Sequence, residues 1–191
     1  MATYTKRHLP HLHEIDCPIF ITWRLRGSLP WNRVFPADTT AGKAFAVMDS
    51  ILDRASDGPL YLGRPDIATL IVDAIRHGEE QMKYYALHAY VVMANHVHLL
   101  ITPFVAVAKI THSLKRFTAR EANRVLGLTD QTFWQDESYD HLIREDREFR
   151  LIVRYIENDP VRAGLVDDAE SFRWSSAWLG REGSVSCKKA D

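Results

Sequence analysis

The spacing of apolar residues in this chain predicts an α+β protein: an antiparallel sheet with packed helices, its central strand carrying two histidines. Segments rich in β-branched and aromatic residues recur between segments whose apolar residues fall at helical spacing. Two of the extended segments, Tyr84 to Met93 and His96 to Pro103, are separated only by Ala94-Asn95, which predicts a hairpin. In the second of these, His96, His98, Leu100 and Thr102 alternate with Val97, Leu99 and Ile101, so two imidazoles share one face.

Residues 1–18 are polar, and Lys6, Arg7, His8, His11 and His13 make them mildly basic. His11-x-His13 repeats the paired-histidine spacing but follows Pro10 and has no apolar alternation around it, so an extended lead-in is expected. After Pro18, Ile19-Phe20-Ile21-Thr22-Trp23-Arg24-Leu25 reads as the first strand, ended by Gly27-Ser28-Leu29-Pro30. A first helix is predicted from Ala41 to Ala55, capped by Thr39 or Thr40 and stopped by Gly58-Pro59. A second follows Pro65 up to Gly78, and both helices read as structural.

A third helix is predicted from about Val107 to Val125, with Ile110, Leu114 and Phe117 as its apolar stripe. Lys109, Lys115, Arg116, Arg120 and Arg124 line its flanks, the strongest basic surface in the sequence and, beside a metal pair, a candidate phosphate track. Phe133-Trp134-Gln135 reads as a loop whose rings serve core packing or base stacking, and Ser138 to Ile143 as loop and last strand. A fourth helix runs from Glu145 to about Asn158 on the stripe Phe149, Ile152, Val153 and Ile156. Tyr155 lies at the flank of that stripe with Asp159 on the same side, and Pro160 marks Asp159 as the helix end, where a carboxylate opposes the helix dipole.

At 191 residues the chain suits one domain, expected over residues 1–180, with a tail at 181–191. Its 46% hydrophobic and 26% charged content are those of an ordinary globule, and a net charge of −1 leaves nucleic-acid binding to local patches. Cys17 and Cys187 form neither a disulfide framework nor a zinc spacing and read as reduced thiols. With no apolar run near the roughly 20 residues of a membrane span, and no secretory signal, a cytoplasmic location is expected.

Alternate strand residues lie about 6.5 to 7 Å apart, close enough for two side chains to meet on one cation. On the motif alone, His96 and His98 are either metal ligands or a half-buried pair satisfied by neighbours. Likewise Tyr155 and Asp159 alone read as a core-edge ring and a solvent-exposed cap.

Taken together, the chain resembles the tyrosine transposases of the His-hydrophobe-His (HUH) superfamily, in particular the REP-associated tyrosine transposases and relatives of the single-strand insertion-sequence enzymes. The matching blocks are Ala89 to Leu100, Leu114-Lys115-Arg116-Phe117-Thr118, Phe133-Trp134-Gln135, Tyr155 to Val166 and Trp174-Ser175-Ser176, in the family's order. Ala94 departs from the pattern where many relatives carry proline. The resemblance implies a ferredoxin-like (RRM-like) HUH palm. It also implies that His96 and His98 bind metal, that Tyr155 is the nucleophile, and that Asp159 stands where relatives supply a third ligand as Asn or Gln.

The expected activity is metal-dependent nicking and joining of single-stranded or hairpin DNA through a 5′-phosphotyrosine, with Mg²⁺ or Mn²⁺ as cofactor. Backbone contacts are expected from Lys109, Lys115, Arg116, Arg120, Arg124, Arg147 and Arg154. Relatives include both monomers and homodimers. Two other readings stay open on the sequence: a domesticated protein that binds DNA hairpins without cutting, and a hydrolase that uses His96, His98 and Asp159 with water.

Overall fold

The structure, a computed structural model, describes residues 3–6, 10–13, 15–29, 40–54, 58–129 and 131–180. Arg7, His8, Pro30, Thr39, Ala55, Cys187 and the tail expected at 181–191 lie outside the described residues.

Strands β1 (Thr3–Lys6) and β2 (Pro10–His13) pair antiparallel, so the extended lead-in expected from the sequence is itself a two-stranded ribbon. The main sheet comprises β3 (Ile19–Arg24), β4 (Tyr85–Val92), β5 (His96–Pro103) and β6 (Tyr139–Leu142) in the order β4-β5-β3-β6, every neighbour antiparallel. Helices α1 (Ala41–Arg54) and α2 (Pro65–Glu80) connect β3 to β4, and α3 (Val107–Leu126) connects β5 to β6. The fold is therefore a ferredoxin-like α+β layer with the His96 strand inside the sheet.

Each face of β5 has its own core. Val97, Leu99 and Ile101 join Ile19, Ile21 and Trp23 beneath α2 and α3, and all but Trp23 are fully buried. Each fully buried Leu or Ile there contributes about 1.5–3 kcal/mol. On the opposite face Leu100, Phe20, Ala89 and Val91 meet Ile156 of α4 (Asp146–Glu157), with Phe45 of α1 packed against them. This second face holds His96 and His98.

The outer edge of β4 is covered by the segment carrying Trp174-Ser175-Ser176. Val92 donates its N–H to the Trp174 carbonyl at 2.9 Å, and Ser176 donates to that of Tyr90 at 2.9 Å, which blocks pairing at that edge.

Asp159 corrects the sequence reading. Helix α4 ends at Glu157, Asn158 interrupts it at φ −89°, ψ 0°, and Asp159 opens a new short helix, α5 (Asp159–Arg162). Proline is tolerated in a first turn because its missing N–H would have no partner there, so Pro160 lets the chain re-enter helix rather than leave it. The expected clash of a carboxylate with a helix C-terminus does not arise.

Candidate active site

The turn before β5 fixes the imidazoles. Asn95 is buried and donates its side-chain amide to the Leu52 carbonyl at 3.0 Å, so its amide oxygen is left to accept. That oxygen lies 2.7 Å from His96 Nδ1, which must carry the proton and leave Nε2 as a lone pair. His98 Nδ1 is held in the same way by Thr22 Oγ1 at 2.7 Å. The two Nε2 atoms then face each other at 3.2 Å, and both rings are fully buried. Ring nitrogens anchored by outer partners are the usual arrangement of metal-binding histidines.

Three carboxylates converge on these nitrogens. Asp159 Oδ2 lies 3.5 Å from each Nε2. Asp49 Oδ1 lies 3.1 Å from His98 and 3.8 Å from His96, and Asp53 Oδ1 lies 3.8 Å from His96. Asp49 and Asp53, four residues apart on α1, were missed by the sequence reading, which took that helix as structural. The available signal was two aspartates at i, i+4 among the apolar positions of an amphipathic helix.

Asp49 Oδ1, Asp53 Oδ1 and Asp159 Oδ2 are buried and make no hydrogen bond among the described residues. An unpartnered buried carboxylate oxygen is costly, and three of them aimed at two imidazole nitrogens form a donor set that a divalent cation satisfies. Predominantly oxygen donors with two nitrogens suit a hard or borderline ion such as Mg²⁺ or Mn²⁺. The residues therefore fit a cation.

Tyr155 borders the same cluster. Its ring centroid lies 5.8 Å from that of His98, and its hydroxyl donates to Asp49 Oδ2. Arg162 closes the far side, with its guanidinium carbon 4.0 Å from the Tyr155 ring centroid. Its Nη2 reaches Asp49 at 3.2 Å and Asp53 at 3.3 Å, and pairs with Asp159.

The electrostatics follow from burial and proximity. Burial lowers the His96 imidazole and keeps it neutral. Burial alone would also lower His98, but Asp49 and Asp159 outweigh it and hold this imidazole up to about 10. With no metal bound, a proton on His98 thus carries part of the positive charge the carboxylates require. Burial would raise Asp159, yet the two histidines hold it well below the usual carboxylate range. Burial and the charges of Asp159 and Asp49 push Asp53 up to about 7. Burial, reinforced by Asp49, pushes the Tyr155 phenol above its ordinary value.

The predicted basic residues divide between the two sides of the sheet. Arg147 and Arg154 are exposed on α4, the helix that carries Tyr155. Lys109, Lys115, Arg116, Arg120 and Arg124 lie on α3, which packs on the face away from the imidazoles rather than beside them. Two strand residues of opposite parity cannot face the same helix, which is why proximity in sequence misled. Lys115 also donates to the Gln135 and Asp136 carbonyls at 2.6 and 2.8 Å, while Arg120 and Arg124 both pair with Glu121. Phe133 and Trp134 are buried, and the Trp134 indole donates to Thr118 at 3.0 Å, so these rings serve the core.

The family model for IS200-like transposases matches residues 66–159, from the start of α2 to Asp159, and so includes both histidines and Tyr155. The chain thus resembles the IS200-like transposases over just under half of its length, the part that carries the sheet hairpin and Tyr155. It is similar to a solved REP-associated tyrosine transposase bound to a REP hairpin, at 19% identity over 92% of this chain and 82% of that one, with a TM-score of 0.49. A crystal structure from Deinococcus radiodurans R1, described as a candidate transposase, is 18% identical over 81% of this chain and 96% of its own, with a TM-score of 0.44. No curated protein matches the chain. Among the described residues, no helix is long and apolar enough to cross a membrane.

Proposed function

We propose that this chain nicks and rejoins single-stranded or hairpin DNA by transesterification, with Tyr155 as nucleophile and a divalent cation, Mg²⁺ or Mn²⁺, held by His96, His98 and Asp159 together with Asp49 and Asp53. One observation carries the reading: a single carboxylate, Asp49, turns one oxygen to His98 Nε2 at 3.1 Å and accepts the Tyr155 hydroxyl on the other. Phenol and imidazoles thus serve one site.

The bound cation would supply Lewis-acid charge for the phosphate and the departing oxygen. The chain's own groups do the rest. Asp49 orients the phenol and accepts its proton as the Tyr155 Oη–P bond forms and the P–O3′ bond breaks; the departing 3′ oxygen takes a proton from water. The products are a 5′-phosphotyrosine and a free 3′ hydroxyl. Attack by another 3′ hydroxyl on that ester reverses the step, so the bond energy is conserved and no nucleotide cofactor is needed. The raised pKa of Tyr155 keeps the metal-free phenol protonated, which restricts the reaction to the loaded site.

Arg147 and Arg154, exposed on the nucleophile's helix, are suited to backbone contacts beside the site. The α3 cations Lys109, Lys115, Arg116, Arg120 and Arg124 offer a second basic surface across the sheet, reached by a longer or folded-back strand. Tyr155→Phe should bind labelled single strands as the native chain does and yield no adduct that survives denaturation, and a chelator should abolish the native adduct. An adduct of undiminished yield in the Phe variant would contradict the proposal.

A further inference from the structure

The aspartates of the site each divide their two oxygens between two tasks. The inner oxygens, Asp49 Oδ1, Asp53 Oδ1 and Asp159 Oδ2, have no hydrogen-bond partner among the described residues and surround the imidazole nitrogens. The outer oxygens, Asp49 Oδ2, Asp53 Oδ2 and Asp159 Oδ1, all meet Arg162 Nη2. Its guanidinium lies 4.0 Å from the Tyr155 ring centroid with 37% of the side chain exposed, so it forms the wall between the buried carboxylates and solvent on the nucleophile's side.

Two features make this more than a counter-ion. All three carboxylate contacts run through one nitrogen, which leaves most of the guanidinium's five N–H donors for a ligand. The charge balance also changes when the site fills. Once His98 gives up its proton, as ligation by both imidazoles requires, three aspartates against one arginine leave two negative charges, the charge of one divalent ion. A cation taken up between the inner oxygens weakens the hold of the same carboxylates on Arg162, beside the hydroxyl that must meet a phosphate.

We propose that Arg162 is a phosphate-binding residue: with the cation in place, its guanidinium holds the non-bridging oxygens of the phosphodiester before the Tyr155 hydroxyl. A planar fork of donors matches two phosphate oxygens in a way that an ammonium cannot. The inference rests on the cation site proposed above and adds the group that presents the DNA ester to it. No bond is made or broken by Arg162.

The test reads binding rather than turnover. The probe is thymidylyl-(3′→5′)-thymidine, whose single phosphodiester is observed by ³¹P resonance through its relaxation by protein-bound Mn²⁺, with the methylphosphonate analogue as the charge-free control. For Arg162→Gln we expect Mn²⁺ affinity unchanged or increased, since a competing positive charge is removed, and affinity for the dinucleotide reduced tenfold or more. The native chain should discriminate against the methylphosphonate and the Gln variant should not. Arg162→Lys, which keeps the charge, should match the native chain in thermal melting and still bind the dinucleotide several-fold more weakly. Dinucleotide affinity at the native level in Arg162→Gln, or a parallel loss of Mn²⁺ and dinucleotide in both variants, would leave Arg162 a structural counter-ion and overturn the proposal. If the native chain takes up no Mn²⁺, the cation reading fails on its own account. The shift of the ³¹P line in metal-free protein then still decides whether Arg162 holds the phosphate.

Discussion

The two faces of β5 are made by alternate residues of one strand, and they carry opposite chemistries. Val97, Leu99 and Ile101 face α2 and α3 in a purely apolar layer, while His96 and His98, equally buried, face Asp49, Asp53 and Asp159. The first face gains stability by burial. The second holds charge that burial disfavours, stabilised in the metal-free chain by the His98 proton and by Arg162. The apolar layer fixes the position of β5 firmly enough for its other side to retain unsatisfied acceptor oxygens.

Substitutions on the two faces should therefore separate stability from binding. The largest stability effect is expected on the apolar side: Leu99→Ala removes a fully buried side chain and should cost about 2–5 kcal/mol in urea unfolding. The fraction that remains folded should keep its metal affinity. Fluorescence-monitored unfolding and Mn²⁺ binding on the same sample check this, and loss of metal affinity in fully folded protein would break the separation of faces.

A smaller effect is expected where the imidazoles are held from behind. Thr22→Val or Asn95→Ala leaves the ligands intact but frees their rings, and should weaken metal binding about 10- to 100-fold, or about 1.4–2.7 kcal/mol. Calorimetric titration with Mn²⁺ measures it.

A third effect is a pH dependence confined to the charged face. Asp53 is pushed up from 3.8 to about 7, so the folded chain binds this proton more tightly than the unfolded chain does. Stability of the metal-free protein should then fall as pH rises from about 4 to 7, and Asp53→Asn should flatten that decline. His98, raised from 6.5 to about 10, adds stability that is complete below 6.5 and lost as pH rises through 10. Unfolding in chelator at a series of pH values gives both slopes. An unchanged profile in Asp53→Asn would show that this carboxylate does not face the cluster in solution.

Much of this was legible in the sequence, and the omissions have a common cause. The alternation in His96 to Thr102 gives the strand and its two faces, and the apolar stripes of α2, α3 and α4 give the helices within a residue or two of their ends. Tyr155, His96, His98 and Asp159 were singled out by their types and order. Asp49 and Asp53 were not, because their significance comes from a return of α1 over the sheet face that no local pattern encodes. Arg162 was visible only as part of a motif, and its contacts depend on the interruption at Asn158 that turns α5 back toward Tyr155. The placement of the basic helix α3 across the sheet from the imidazoles has the same origin: sequence spacing identifies a helix face but not which side of a sheet that helix covers.

The central claim is that Tyr155 attacks a DNA phosphodiester within the cluster formed by His96, His98 and the three aspartates. The most direct measurement is peptide mapping by mass spectrometry of protein incubated with single-stranded DNA and Mn²⁺, then denatured, nuclease-trimmed and digested. The account predicts a nucleotide phosphate attached to the peptide containing Tyr155 and absent when the metal is chelated. A nucleotide on any other residue, or cleavage products with no modified peptide, would contradict it.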